Sequence, residues 1–308
     1  VELRFVGIGL LFCVWGILAA QESVWPMQHL TTGVQRAVVE ITATDGAMMH
    51  QGKIVTLNGK RWSASTGVML YGNYLPQKVC AGQRWAMTLH LRAVHGELND
   101  GGYDAQQSAF ARHQTLSGRF TQAEIVDDRC SLRARYLMSL QNTLSSYPWG
   151  AVILGLGMGE RLDVPREIKN LMRETGTLHL MAISGLHIAL AASIAWLLVR
   201  GIQFFLPCNW VYWQMPVLGG LFFAAFYAWL TGLQPPALRT VISLAVLAAL
   251  RISARRWTPW QVWFCCVAAI LTFDPLAVLS QSVALSAFAV AALIYWYQWL
   301  RLPRWHRF

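Results

Sequence analysis

Of 308 residues, 55% are hydrophobic and only 13% charged, about half the charge fraction of a soluble domain, which argues for an integral membrane protein. The net charge of +10 is uneven: Gln21–Ser145 holds 12 Lys/Arg against 9 Asp/Glu (+3), and the rest of the chain holds 13 against 6 (+7). Basic flanks of this kind report membrane orientation rather than nucleic-acid binding, and 15 Trp suit the two membrane–water interfaces.

In chain order, the first element is Leu3–Ala20, about 18 apolar residues, near the lower limit for a spanning helix. The chain opens at Val1 directly into this apolar run and stops after "RLPRWHRF", so it is expected to be a fragment of a longer reading frame. Gln21–Ser145 has another texture, alternating "RAVVEIT", "GKIVTL" and "RWAMTLHLRAV" with the turn signals "TDGA", "LNGK" and "NDGG". Closely spaced short strands predict a small all-β domain. The length suits a five-stranded OB-type barrel, and a small sandwich is the alternative that periodicity leaves open.

Tyr147–Gly159 is apolar but too short to span, which predicts a re-entrant or interfacial piece, and Gly155 with Gly159 forms a small-xxx-small pair. Glu160–Gly176 is polar and amphipathic. Apolar segments then follow at Leu178–Val199, Val211–Leu230, Ala237–Leu250, Pro259–Phe273 and Leu276–Leu300. Arg200, then Arg251, Arg255 and Arg256, then Arg301, Arg304 and Arg307 follow alternate segments, whereas the loops "TGLQPP" and "DP" hold no Lys or Arg. Basic loops face the cytoplasm, so six spans would leave both chain ends there and the β domain exported. The expected fold class is an α+β membrane protein: a transmembrane helix over residues 1–20, an exported OB-like β-barrel domain over 21–145, and a polytopic α-helical transmembrane domain over 146–308. Cys80 and Cys130 fall in the exported part, where they either form a disulfide or remain two buried thiols.

The stretch "HLMAISGLHIALAASIAWLL" sets His179, Ser184 and His187 at the mouth of an apolar segment. Ser184 and His187, three apart, share a helix face within contact reach, as an intramembrane serine hydrolase would need. "AISG" resembles the nucleophile sequence of rhomboid proteases, but Ala182 stands where they have glycine, and no later membrane segment supplies a histidine. His179 and His187 are eight residues and about 12 Å apart, too far to chelate one ion alone, so no metal and no cofactor are expected. The remaining readings are helix packing through Gly185 and the lining of a wet path. Arg239, three residues inside the segment after Pro235–Pro236, either reaches back to the interface or lines a polar route suited to phosphate.

Several motifs carry a family resemblance. "LGLGMGER" (Leu154–Arg161), "TGTLHLMAISGLHIAL" (Thr175–Leu190), "YAWLTGLQPPALRT" (Tyr227–Thr240), "DPLAVLSQSVALSAFAVAAL" (Asp274–Leu293) and "NDGGYD" (Asn99–Asp104) together resemble the ComEC family of DNA-internalisation (competence) channel proteins, enterobacterial YcaI-type members most closely. The resemblance implies an exported OB-fold domain followed by a truncated competence-type domain that forms an inner-membrane channel for single-stranded DNA. Glu160, Arg161, His179, Ser184, Gly185, His187, Gly232, Pro236, Arg239, Asp274 and Ser286 match motif positions as path or packing residues. Implied partners are single-stranded DNA, membrane lipid, periplasmic DNA-receptor and cytoplasmic helicase-type competence proteins, and further copies of the chain. Full-length members carry a metallo-β-lactamase-like nuclease domain whose "HxHxDH" motif this chain lacks, so it is not expected to be an enzyme. In the β domain, Arg61, Trp62, Arg84, Trp85 and Arg92 are candidates for holding a strand, against a structural-cap or docking role. The rivals to the channel are the Ser184/His187 hydrolase and a non-transporting scaffold.

Overall fold

The computed structural model describes residues 2–30, 33–44, 49–62, 66–72, 75, 79–96, 102, 104–160, 164–181, 183–207 and 210–299, with all of their side chains except those of residues 2–8, 166 and 179. The chain divides into two compact units: Val1–Val152 with Arg161–Pro165 and Pro275–Ser280, and Ile153–Glu160 with Arg166–Asp274 and Gln281–Phe308.

The first unit begins with α1 (Glu2–Gln28), which continues eight residues past Ala20, through Pro26. Six strands follow: β1 (Val34–Thr44), β2 (Met49–Leu57), β3 (Lys60–Arg61), β4 (Gly67–Tyr71), β5 (Arg84–Ala93) and β6 (Leu116–Asp127). Their order is β1-β5-β6-β4-β2, and β2 pairs back onto β1, so five strands close a barrel and β3 hangs on β2 alone. The β4–β6 pair is parallel and the other pairs are antiparallel, an OB-like arrangement that removes the sandwich alternative. Alternation builds the core: Val39, Ile41, Val68, Leu70, Trp85, Met87, Leu89 and Leu116 point inward and are essentially inaccessible. Asn58 and Gly59 both take positive φ (48° and 78°), the tight hairpin that "LNGK" encodes.

Two short helices attach to the barrel chain. In α2 (Ala105–Ala111), Asp104 caps by accepting from Gln107 N at 2.9 Å, and in α3 (Leu132–Leu144) Ser131 accepts from Ala134 N at 3.2 Å. The 3₁₀ turn Pro275–Leu279 also belongs to this unit, where Gln107 Nε2 donates to Leu279 O at 3.0 Å. That corrects the single segment expected over Leu276–Leu300, because its first residues form a separate turn.

Helix α4 (Gly150–Met158) leads from the first unit into the second, which holds α5 (Arg166–Glu174), a 3₁₀ turn at Thr177–Met181, α6 (Gly185–Phe204), α7 (Gln214–Leu230), α8 (Pro235–Ile252), α9 (Pro259–Phe273) and α10 (Gln281–Trp299). The helix expected from Leu178 starts only at Gly185, since Ser184 takes the cap position with extended backbone. By length and composition, four helices among the described residues suit a membrane crossing: the Gly9–Gln28 part of α1, then α6, α8 and α10. Of the six spans expected, α7 and α9, at 17 and 15 residues, are about 26 and 23 Å long, shorter than a hydrocarbon core of about 30 Å, although α9 takes the range expected for it. The chain is an α+β membrane protein.

The helices of the second unit meet through small side chains. Ala192, Ala224, Ala228 and Ala237 are buried with Ile183 and Ile188, while Leu197, Phe222 and Phe226 point outward. Large apolar groups outside and small ones inside is the arrangement expected where lipid, not water, covers the helices. One tight approach is at Gly185, where an added Cβ would lie 2.5 Å from Thr240 Oγ1. Gly185→Ala is therefore expected to lower the thermal midpoint of the purified chain, by about 1–2 kcal/mol of stability, and Thr240→Ala to relieve it, since the next atoms lie at 3.7 Å and beyond. Equal midpoints for Gly185→Ala and the parent would refute this close packing.

Candidate functional site

The candidate site gathers at one end of the second unit, where α6, α8 and α10 begin. Gly185, the first residue of α6, faces Thr240 near the start of α8, and Arg239 beside it donates from Nη1 to Ser282 Oγ at 3.2 Å, near the start of α10. Three helix N-termini thus lie together, each contributing the positive end of its backbone dipole, with fewer free N–H groups at α8 because Pro235 and Pro236 open it. The α7–α8 reversal holds them there. Gly232 (φ 83°) and Leu233 (φ 50°) turn left-handed, Leu233 N donates to Ala228 O at 2.8 Å, and Pro235 and Pro236 start α8. Pro236 O accepts from Thr240 Oγ1 at 3.0 Å.

Leu154–Glu160 packs against the same end. Tyr227 Oη donates to Gly157 O at 2.9 Å, and Gly159, at φ 73°, has Gln234 Nε2 and Ile183 Cγ1 both 2.9 Å from where a Cβ would stand. Four motif segments far apart in sequence therefore meet in one unit: Leu154–Glu160, Ile183–His187, Tyr227–Thr240 and Ser282–Ser286. Arg161 lies outside the described residues, as does the side chain of His179, whose backbone sits in the Thr177–Met181 turn. Asp274 caps α9, its N–H donating to Ile270 O at 3.0 Å.

A cavity of about 450 Å³ opens between α8, α9 and α10, with Arg239, Ser243, Cys266 and Ser286 as its polar lining among apolar walls that include Trp263 and Ile270. Arg239 and Ser286, 47 positions apart, share this cavity, and among the described residues none that lines it is a carboxylate. Arg239 is the fifth residue of α8, about 6 Å inside the helix end.

Ser184 and His187 do touch, but as part of a helix start. His187 Nδ1 lies 2.9 Å from Ser184 Oγ and accepts the Ser184 backbone N–H at 3.3 Å, closing the first turn of α6. Among the described residues no third group orients the imidazole. Nor do three or more His, Cys, Asp or Glu gather to hold a metal ion among them.

In the barrel the five strand-binding candidates scatter. Trp85 requires a correction: it is 1% exposed in the core, its Nε1 donating to Gln83 Oε1 at 3.3 Å, so no base can stack on it. Arg84 points outward but is neutralised by Glu40 at 3.1 Å. Arg61 is exposed on β3, and Trp62 packs half-buried against Trp25, ring centroids 5.0 Å apart, donating to Thr66 Oγ1 at 3.0 Å. Arg92 lines a recess of about 300 Å³ with Tyr71, His95 and Arg112, residues that sequence reading missed. Cys80 and Cys130 are joined in a disulfide, their Cα atoms 5.7 Å apart.

A family model described as "Competence protein" matches residues 156–308, the stretch that contains nearly all of the four converging motif segments. YcaI of Escherichia coli (strain K12), an uncharacterized protein, is 61% identical over 302 residues, 98% of this chain and 40% of YcaI. The chain belongs to the competence protein family. Recombination protein 2 of Haemophilus influenzae is 34% identical over 216 residues (70% of this chain, 27% of that protein), and competence protein ComA of Neisseria gonorrhoeae 30% over 308 (93% and 42%). This competence-family chain thus spans about two fifths of the length of YcaI and ComA, and less of recombination protein 2. No solved structure matches it. The YcaI-type resemblance read from the motifs agrees with these relatives.

Proposed function

We propose that this chain forms part of an inner-membrane channel that imports single-stranded DNA during natural transformation, with the barrel in the periplasm. The observation that carries the reading is Arg239, which donates to Ser282 beside the starts of α6, α8 and α10 and lines a cavity with no carboxylate among the described residues. A phosphodiester passing a low-dielectric barrier needs fixed positive groups on its way. A unit charge 4 Å from a guanidinium gains about 4 kcal/mol at an effective dielectric of 20. The periplasmic assignment is supported by Arg200 and Arg251, near the C-terminal ends of α6 and α8, and by Arg255 and Arg256 just past α8. Two relatives are named for competence and recombination, which fits uptake of a strand destined for the chromosome. His187, Ser184 and Gly185 set the packing of the path, and Glu160, Gly232, Pro236, Asp274 and Ser286 its frame. Periplasmic DNA-receptor and cytoplasmic helicase-type proteins are the partners the reading implies.

The test is delivery of labelled DNA into the cytoplasm of cells lacking the gene, complemented with the complete reading frame at matched membrane abundance. The parent is expected to restore uptake and Arg239→Ala to lower it at least about tenfold, equivalent to about 1.4 kcal/mol. Equal uptake by Arg239→Ala and His187→Ala would reduce the cluster to packing. No restoration by the parent would favour the scaffold.

The 2.9 Å Ser184–His187 contact motivates the one rival reading, an intramembrane serine hydrolase. Because His187 Nδ1 also takes the Ser184 backbone N–H, Ser184 is expected to stay unmodified by a serine-directed phosphonate. A covalent adduct at Ser184 would reverse that assignment.

A further inference from the structure

We infer that the outer face of the barrel around Tyr71 is a binding site for single-stranded nucleic acid, built from Tyr71, His90, Arg92, Arg112 and Arg119. The import reading supplies the identity of the ligand, and the geometry of the barrel supplies the location.

Strand register assembles the site. Tyr71 at the end of β4 lies opposite Arg119 of β6, Arg119 opposite His90 of β5, and Ser117 opposite Arg92. The alternate positions Leu116, Phe120 and Leu89 fill the core, so Arg119, His90 and Arg92 must point out, and all three are exposed. Tyr71 is 43% exposed, its ring available on that face. The row crosses three neighbouring strands, about 10 Å. Beside it the 300 Å³ recess adds Arg112, His95 and the hydroxyls of Ser108 and Ser117, and among the described residues its lining holds no carboxylate.

Two other arginines of this unit are paired with carboxylates. Arg84 and Arg129 lie against Glu40 and Asp127, at 3.1 and 3.7 Å. Among the described residues, Arg92, Arg112 and Arg119 have no such ion pair. Like charges on neighbouring strands disfavour the folded barrel, and a polyanion laid across them reverses the sign of that interaction. An exposed aromatic among them matches what a single strand requires: cations for phosphates and a flat ring for an unstacked base. A duplex keeps its bases inside its own stack, and an anionic lipid surface offers no base at all.

The experiment uses the complete reading frame in nanodiscs of neutral lipid and a labelled twenty-nucleotide oligo(dT), read by fluorescence anisotropy across a salt series. The combined Arg92→Ala, Arg112→Ala, Arg119→Ala variant is expected to weaken binding at least about 100-fold and to flatten the log–log salt dependence by about 2, at roughly 0.7 for each phosphate no longer neutralised. Tyr71→Ala should weaken binding about 5- to 150-fold, the range of one base stack. An abasic oligonucleotide should lose a similar factor against the parent and little against Tyr71→Ala. Unchanged hydrogen-exchange protection in β1 and β2 establishes that the variants fold. Absence of binding by the parent, parent-like binding by the arginine variant, preference for duplex, or displacement by anionic vesicles with no dependence on Tyr71 would each overturn the inference. Failure here with uptake intact sinks this site alone, and binding here without uptake sinks the channel reading alone.

Discussion

Trp85→Ala is expected to remove about 3–5 kcal/mol from the barrel, the range for a fully buried Trp. A domain of ordinary stability has about 5–15 kcal/mol to lose, so the variant sits near the edge of folding. The position explains the size. Trp85 stands in β5 between its neighbours β1 and β6, opposite Val39 on one side and Ile125 on the other, and its ring fills the middle of a closed barrel. Its indole N–H is satisfied by Gln83 Oε1, which also accepts from Cys80 N at 3.1 Å. Trp85→Phe keeps most of the buried ring and loses one hydrogen bond, and should cost nearer 1 kcal/mol plus a small cavity. Thermal unfolding of the purified chain, with hydrogen exchange in β1, β5 and β6 as the local readout, checks both. A neutral Trp85→Ala would mean the ring is not in the core and would restore it as a stacking surface.

The inward direction of Trp85 is legible in the sequence. In "RWAMTLHLRA" the apolar residues Trp85, Met87 and Leu89 recur every second position, which assigns Trp85 to the inner face and Arg84 and Arg92 to the outer one. Grouping Arg84 with Trp85 as one strand-binding pair conflicts with that alternation, since adjacent strand residues face opposite ways. The barrel itself is legible because its turns announce themselves, as at Asn58–Gly59, and its strands alternate. Which strands pair is not. Tyr71, Arg119 and His90 come together only through a parallel β4–β6 contact and an antiparallel β5–β6 contact, and long-range register leaves no local trace.

The helical half divides the same way. Helix existence follows from hydropathy, whereas the true start of α6 depends on a cap, with Ser184 at the cap position and Gly185 lying where α8 leaves no room for a side chain. Arg239 and Ser286 read as separate motif matches, and only the packing of α8, α9 and α10 gives them one cavity. Gln83 leaves no signal at all. It is 2% exposed, and a lone glutamine in a strand-rich stretch carries no pattern that marks it as a buried hub.

That hub bears on the second large effect. Cys80→Ser with Cys130→Ser is expected to cost up to about 4 kcal/mol, the chain-entropy value for opening a loop closed across a sequence separation of 50. The loop contains all of β5, α2 and β6, two of the five barrel strands, so its closure constrains much of the unfolded domain. Local bonds limit the loss. Ser131 N donates to Ala81 O at 2.8 Å and Gln83 Nε2 to Asp128 Oδ1 at 2.7 Å, holding the same two segments together without the sulfurs. The expected phenotype is therefore a barrel that still folds at low temperature but melts early and is cleaved faster by protease around β5 and β6. In cells, Cys80 and Cys130 of the parent should resist a maleimide until a reductant is added, because such a disulfide forms and persists only in an oxidising compartment. Labelling of both without reductant would mean the barrel lies on the cytoplasmic side, and the orientation drawn from the arginine loops would have to be inverted. Protection of the parent together with early melting of the double variant would tie the disulfide to both the stability of the barrel and its periplasmic location.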